Sequence, residues 1–361
     1  SSLVRFLLAA ALSSLLVGCG NPSRDAARQA KGTSAAPITF MVFGDPAELK
    51  AYQELVAAYE QGHAGERVTL VHIASLSDYR TRLGTDFAAG TPADVVLINY
   101  RRFAAFAAKG VVEPLGPYLE RSSIIREADF YPEAIRAFRH QGTLIGLPQN
   151  LSSLVVYYNK SLFDAAGVPY PKDDWTWDDF VNAAKRLTRD TNGDGKVDQY
   201  GLGTEASLQR VAPFIWQNGG EIVDDTEAPT TLVLDRPEAM QALQWFVELQ
   251  TRHRVVPGAI EEEAEDSESR FQNGRTAMFL NSRRGVPTYR EITAFDWDVA
   301  PLPRNKQAAG ILHADAYFMA KAAKDKDQVW SFIEFANSPE GQRIVAASGR
   351  TVPSLRQVAE S

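Results

Sequence analysis

The sequence predicts an α/β protein of about two domains, and three observations carry that reading. Its 361 residues exceed what one hydrophobic core usually organises, at roughly 150 residues per domain. Hydrophobic residues at 45% and charged residues at 23% sit near globular averages, which excludes a disordered chain, a collagen and a coiled coil. From Pro37 onward, short apolar runs alternate with amphipathic stretches about 10–15 residues long, the pattern of βαβ units and a mainly parallel sheet.

The elements follow in order. Ile38–Gly44 is an apolar strand ending at glycine, and Ala47–Tyr59 has helical spacing. Val68–Ala74 and Asp94–Asn99 are two more strands around a helix at Tyr79–Ala89. Arg102–Lys109 reads as a helix closed by Gly110, and Leu144–Lys160 as an extended stretch. Helices are expected at Trp177–Arg189, Glu205–Gln217 and Pro237–Arg252. Thr176 can cap the first of these with Asp178 and Asp179 in its first turn, while Pro237 suits the first turn of the third. Ser269–Arg275 is helical, Thr276–Asn281, Asp296–Pro303 and Ala316–Ala320 are strands, and Lys326–Asn337 and Pro339–Ala347 close the pattern as helices. The acidic run 261–268 reads as a solvated loop or helix start.

The N-terminus reads as an address. Arg5 precedes an uncharged run from Phe6 to Val17, too short for a membrane span of about 20 residues but suited to the core of a secretory signal. The lone cysteine, Cys19, follows Leu16-Val17-Gly18, which resembles the bacterial lipobox and implies diacylation of Cys19 and a stable lipid anchor. Residues 1–18 are thus expected to be a lipoprotein signal peptide and 19–37 a flexible tether. The chain opens on Ser1 rather than Met, so a start upstream is expected.

Charge and motif content exclude several functions. A net charge of −7 without a basic stripe leaves nothing to track a phosphate backbone, so no nucleic-acid partner is expected. One cysteine excludes a disulfide framework and a multi-thiolate metal site. There is no GxSxG, HExxH, P-loop or GxGxxG.

One loop suggests a cation. In DTNGDGKVD (190–198), oxygens fall at Asp190, Asn192, Asp194, the Lys196 carbonyl and Asp198, the EF-hand order as far as its ninth position. The twelfth position is Gly201 rather than Glu, so the alternatives are a structural calcium site and a solvated Asn-Gly/Asp-Gly turn.

The segments 146–180 (GLPQNLSSLVVYYNKSLFDAAGVPYPKDDWTWDDF), 214–224 (FIWQNGGEIVD), 271–282 (FQNGRTAMFLNS) and 332–342 (FIEFANSPEGQ) carry a resemblance. Residues 38–353 resemble a family 1 extracellular solute-binding protein, the maltose-binding-protein-like receptor of an ABC importer. The resemblance implies a two-lobed periplasmic-binding-protein fold (type II-like), with a mainly parallel, helix-flanked sheet in each lobe and a hinge crossed more than once. It implies residues 38–147 plus 274–309 in lobe 1, and 148–273 plus 310–361 in lobe 2, with a further helix pair after Ser361. It also implies a monomer, lipid-anchored at the bacterial cell membrane or in the periplasm, that delivers a carbohydrate or similar small polar solute to membrane permease subunits without chemistry or a functional cofactor.

A sugar needs planar side chains that donate and accept, an aromatic face, and a place beyond the carboxyl ends of the strands. The candidates at such ends are Phe43, Asp45, Asn99, Tyr100, Arg101, Asn281 and Arg283; the segment 216–221 adds Trp216, Asn218 and Glu221, the resemblance implies a cleft loop at 310–315 that carries His313 and Asp315, and Arg350 after Gly349 is expected at the far rim. Several have duller readings: Asp45 as a helix cap, Tyr100 and Trp216 as packing, Asn218, Asn281 and Arg283 as turn residues. His313 beside Asp315 allows a catalytic or metal pair, though binding or exposure is the simpler reading. The alternatives to a sugar receptor are a glycosidase-like carbohydrate-active enzyme, whose carboxylate pair leaves no fixed motif, a receptor for a non-sugar polar solute, and a structural lipoprotein.

Overall fold

The structure, a computed structural model, describes residues 36–226 and 228–361. The expected signal peptide, Cys19 and the tether as far as residue 35 lie outside the described residues.

The first lobe grows from strand β1 (Ile38–Phe43), all but one of whose residues are buried. Gly44 ends it at φ +141°, where a Cβ would lie 2.6 Å from the Cβ of Glu48, so only glycine permits this turn. Asp45 then caps helix α1 (Pro46–Gly62), accepting from the amides of Ala47 and Glu48 at 2.9 Å, while Glu48 reaches back to the Asp45 amide at 3.0 Å. Strand β2 (Val68–Ile73), helix α2 (Leu76–Ala89) and strand β3 (Val95–Asn99) follow, and β1 pairs in parallel with both strands. Tyr79 of α2 holds the sheet from one face: its hydroxyl donates to the carbonyl of Leu97 and accepts from the same residue's amide at 3.0 Å.

At Leu147–Pro148 (β4) the chain makes the last pairing of this lobe before Asn150–Ser153 (β5) carries it across. The second lobe is built on β6 (Val155–Asn159), α3 (Trp177–Leu187), β7 (Tyr200–Gly203), α4 (Leu208–Gln217), β8 (Thr276–Asn281) and β9 (Trp297–Ala300), its sheet ordered β9-β6-β8-β7. The chain recrosses at β10 (Leu312–His313) and re-enters the first sheet as β11 (Asp315–Met319). Helices α5 (Lys326–Ala336) and α6 (Pro339–Ala346) pack on the first lobe, and β12 (Val352–Pro353) returns to the crossing. There β10, β5 and β12 form a small sheet of their own, the hinge.

Two findings correct the sequence reading. Residues 274–309, expected in the first lobe, pair within the second sheet, and 315–358, expected in the second lobe, complete the first core. TAMFLN and DAYFM are apolar strands that suit either sheet; only their pairing decides, Met278 beside Leu202 and Met319 opposite Val95. The sheets are also mixed rather than mainly parallel. In the first, ordered β2-β1-β3-β11-β4, β11 runs antiparallel to both neighbours because it arrives from the other lobe and not through a βαβ helix. Separate hydrophobic cores, one around Phe40, Tyr317 and Phe332 and another around Phe180, Phe214 and Met278, make the two lobes independent packing units.

Candidate functional site

The carboxyl ends of β1 and β3, the hinge strands and the first turn of α4 converge on one cavity of about 270 Å³. The first lobe supplies Phe43, Arg80, Asn99, Tyr100, Arg101 and Arg102; the second supplies Glu205, Gln209, Arg210, Ser282 and Arg284. His313, Asp315 and Arg350 enter from the hinge side.

Strand register explains one part of this wall. Asn99 lies opposite Asp315, and its amide donates to the Asp315 carboxylate at 3.0 Å and to the Ala314 carbonyl at 3.2 Å. The Asn99 carbonyl oxygen accepts from both the backbone and the Nε of Arg101 at 3.2 Å, which turns that guanidinium over the Tyr100 ring at 5.8 Å. Tyr100 stacks on His313 with ring centroids 5.9 Å apart. Burial, with Arg210 and Arg101 nearby, pushes the His313 imidazole down to about 4, so it is neutral at pH 7. Burial likewise raises the Tyr100 phenol and keeps it a hydrogen-bond donor.

The facing wall is centred on Arg210, whose side chain is 12% exposed. It pairs with Glu205 at 3.4 Å and with the Asn281 carbonyl oxygen at 3.3 Å, and Asn281 is itself held by the Tyr289 hydroxyl at 2.6 Å. Burial lowers the Arg210 pKa without threatening its charge. Between the walls, Arg284 donates to Glu48 at 3.2 Å and Arg350 donates to the Arg284 carbonyl at 3.0 Å and pairs with Asp45. Three buried polar atoms of this cavity have no protein partner among the described residues: the Tyr100 hydroxyl, Arg210 Nε and Arg350 Nε.

The cavity thus gathers Phe43, Asn99, Tyr100, Arg101, His313, Asp315 and Arg350 from the sequence candidates. Asp45 stands behind it as the cap of α1 and the partner of Arg350, and Asn281 stands behind Arg210. Four candidates fall elsewhere. Trp216 and Asn218 lie at the far end of α4, whose first turn faces the cavity; six residues at about 1.5 Å rise set Trp216 some 9 Å beyond Arg210. Asn218 is buried and bonds the Glu238 carbonyl at 2.7 Å and Asn305 at 3.1 Å, a structural tie, and Glu221 is exposed beyond it. The Arg283 side chain lines grooves on another face, with Val352. Arg80 and Arg210 were missed because they sit on helices, and Arg102 and Arg284 because each lies one residue past the segment read after a strand.

In the loop 190–198 the oxygens proposed for calcium are turned on the loop's own amides. Asp190 accepts from Gly193 and Gly195, Asn192 from Asp194, Asp194 from Lys196, and Asp198 from Thr191 and Asn192. No group of three or more His, Cys, Asp or Glu side chains among the described residues is arranged to hold a metal.

Comparison with known proteins agrees with this architecture. The profile of bacterial extracellular solute-binding proteins matches residues 44–343. A Brucella abortus protein described only as a binding protein is 26% identical over 298 residues, 79% of this chain and 67% of its own. A maltooligosaccharide ABC transporter solute-binding lipoprotein of Streptococcus pneumoniae is 24% identical over 353 residues, 95% of this chain and 78% of its own. Among solved structures, an ABC substrate-binding protein of Listeria monocytogenes in complex with cycloalternan superposes with a TM-score of 0.80 at 29% identity, covering 90% of this chain and 81% of the other. Two lobes around a hinge, a polar cavity between them and a profile match over most of the chain lead to one conclusion: this protein belongs to the bacterial extracellular solute-binding protein family.

Proposed function

We propose that the protein is an extracytoplasmic receptor that holds a carbohydrate between its lobes and delivers it to an ABC permease without chemistry. The observation that carries this reading is a cavity lined from both lobes by groups that donate and accept, with Phe43 and Tyr100 among its lining residues. The cycloalternan bound by the Listeria protein and the maltooligosaccharide name of the Streptococcus relative support a sugar. Ligand contacts made from both walls favour the closed arrangement and shift the population towards it. We further propose that Cys19 carries a lipid anchor, supported by Leu16-Val17-Gly18 before it, and that the receptor acts as a monomer. The 190–198 loop is proposed to be a self-capped turn, its oxygens being engaged by its own amides.

The test is calorimetric titration with a panel of mono- and oligosaccharides, followed by chromatography of the ligand recovered afterwards. One carbohydrate binding in a one-to-one ratio and returning intact is the expected result. Silence across the panel, or a cleaved sugar, would overturn the proposal. Loss of labelled palmitate incorporation in Cys19→Ala tests the anchor.

A further inference from the structure

We infer that the ligand is an acidic carbohydrate, one bearing a phosphate or carboxylate that docks among Arg80, Arg101, Arg102 and Arg210. The inference rests on the receptor reading above and sharpens its substrate class.

Six guanidiniums line the cavity, those of Arg80, Arg101, Arg102, Arg210, Arg284 and Arg350, against three carboxylates, Glu48, Glu205 and Asp315. The pairing of these charges is uneven. Arg284 is neutralised by Glu48, Arg210 by Glu205, and Arg350 by Asp45 just outside the wall. Arg80, Arg101 and Arg102 form no ion pair with any described residue. They are close enough to act on one another: burial lowers the Arg80 pKa, Arg102, Arg101 and Arg284 lower it further, and Asp315 opposes them. Asp315 is already engaged by the Asn99 amide.

The second lobe adds to this excess. Arg210 and Arg101 come from opposite lobes, and both act on Tyr100 and His313. His313 is neutral and contributes no charge of its own. Closing the lobes therefore brings like charges together around one aromatic pair, at a cost that an anion between them removes. Guanidinium groups match phosphate and carboxylate oxygens in paired hydrogen bonds. The free Arg210 Nε and Tyr100 hydroxyl are two buried donors in the same place. The first turn of α4, which carries Gln209 and Arg210 into the cavity, adds the positive end of a helix dipole. The chain as a whole is acidic, at −7, so this basic cavity departs from the character of the protein.

Calorimetry on the full chain tests the inference with glucose 6-phosphate, glycerol 3-phosphate, glucuronate and digalacturonate, each beside its uncharged parent sugar or polyol. At least one acidic member should bind tenfold or more tightly than its parent, with affinity falling as sodium chloride is raised; which arm responds separates phosphate from carboxylate. Arg102→Gln, an exposed position whose folding is checked by thermal melting, should weaken that acidic ligand about tenfold and flatten the dependence of its affinity on sodium chloride, whereas unchanged affinity and salt dependence would overturn the inference. Neutral sugars binding as tightly as acidic ones would overturn the inference and leave the carbohydrate reading intact. Silence from acidic and neutral members alike would overturn both, and inorganic phosphate binding as tightly as the sugar phosphates would overturn the inference, since the site would then recognise an anion without its sugar.

Discussion

Arg284 of the second lobe donates to the Glu48 carboxylate of the first at 3.2 Å, and the same carboxylate oxygen accepts the amide of Asp45. A residue that completes the cap of α1 therefore also ties the two lobes together across the cavity mouth. Arg284 is 47% exposed, so this pair contributes about 1 kcal/mol rather than the several of a fully buried pair. In a double-mutant cycle of Glu48→Gln and Arg284→Gln, the ligand affinities should couple by about that amount, whereas strictly additive losses would show that the pair does not assist closure.

The neutral His313 makes stability depend on pH. Its pKa falls from an ordinary 6.5 to about 4 on folding, so between those values the unfolded chain binds more protons than the folded one. Stability contributed by the neutral ring is present above 6.5 and is lost as pH falls towards 4. The ceiling is about 3 kcal/mol, from roughly 1.4 kcal/mol per pKa unit. Urea midpoints of wild type and His313→Gln, compared at neutral pH and near the folded-state pKa, should show the variant losing less stability on acidification; parallel curves would contradict the assignment.

Trp216 was the aromatic surface expected for sugar stacking, yet it lies away from the cavity and its carbonyl accepts from Gln307 at 2.7 Å. Trp216→Ala should therefore alter ligand affinity less than twofold in calorimetry. A tenfold loss would place the binding surface elsewhere.

Much of the site was legible in the sequence. Phe43, Asn99 and Tyr100 stand at the carboxyl ends of strands, and the rule that ligands gather there recovered part of one wall, while Asp315, which opens β11, came from the loop the resemblance implied. The opposite wall was not. Arg210 and Arg80 lie on helices whose orientation depends on the packing of whole lobes, and a period of about 3.6 says which face is apolar without saying which end of a helix points inward. The same limit misassigned the strands Thr276–Asn281 and Asp315–Met319, whose apolar residues fit either core. The helix-start reading of Thr176, in contrast, needed only local chemistry, and Thr176 forms a capping box with Asp179.

The loop 190–198 carries the EF-hand order of oxygens, and its Asp198 accepts from the amides of Thr191 and Asn192 and from the Thr191 hydroxyl. Adding a chelator should leave the melting temperature unchanged, and Asp198→Ala should lower it equally with and without calcium. Stabilisation by calcium that disappears in the variant would establish a metal role instead.

A ligand gripped from both lobes at once must lose affinity when either wall is altered. Calorimetry on Tyr100→Ala, from the first lobe, and Arg210→Ala, from the second, tests it most directly once a binding carbohydrate is in hand. Each variant should weaken affinity at least tenfold, about 1.4 kcal/mol, while retaining a cooperative thermal transition. Wild-type affinity in either variant would show that the ligand rests on one lobe alone.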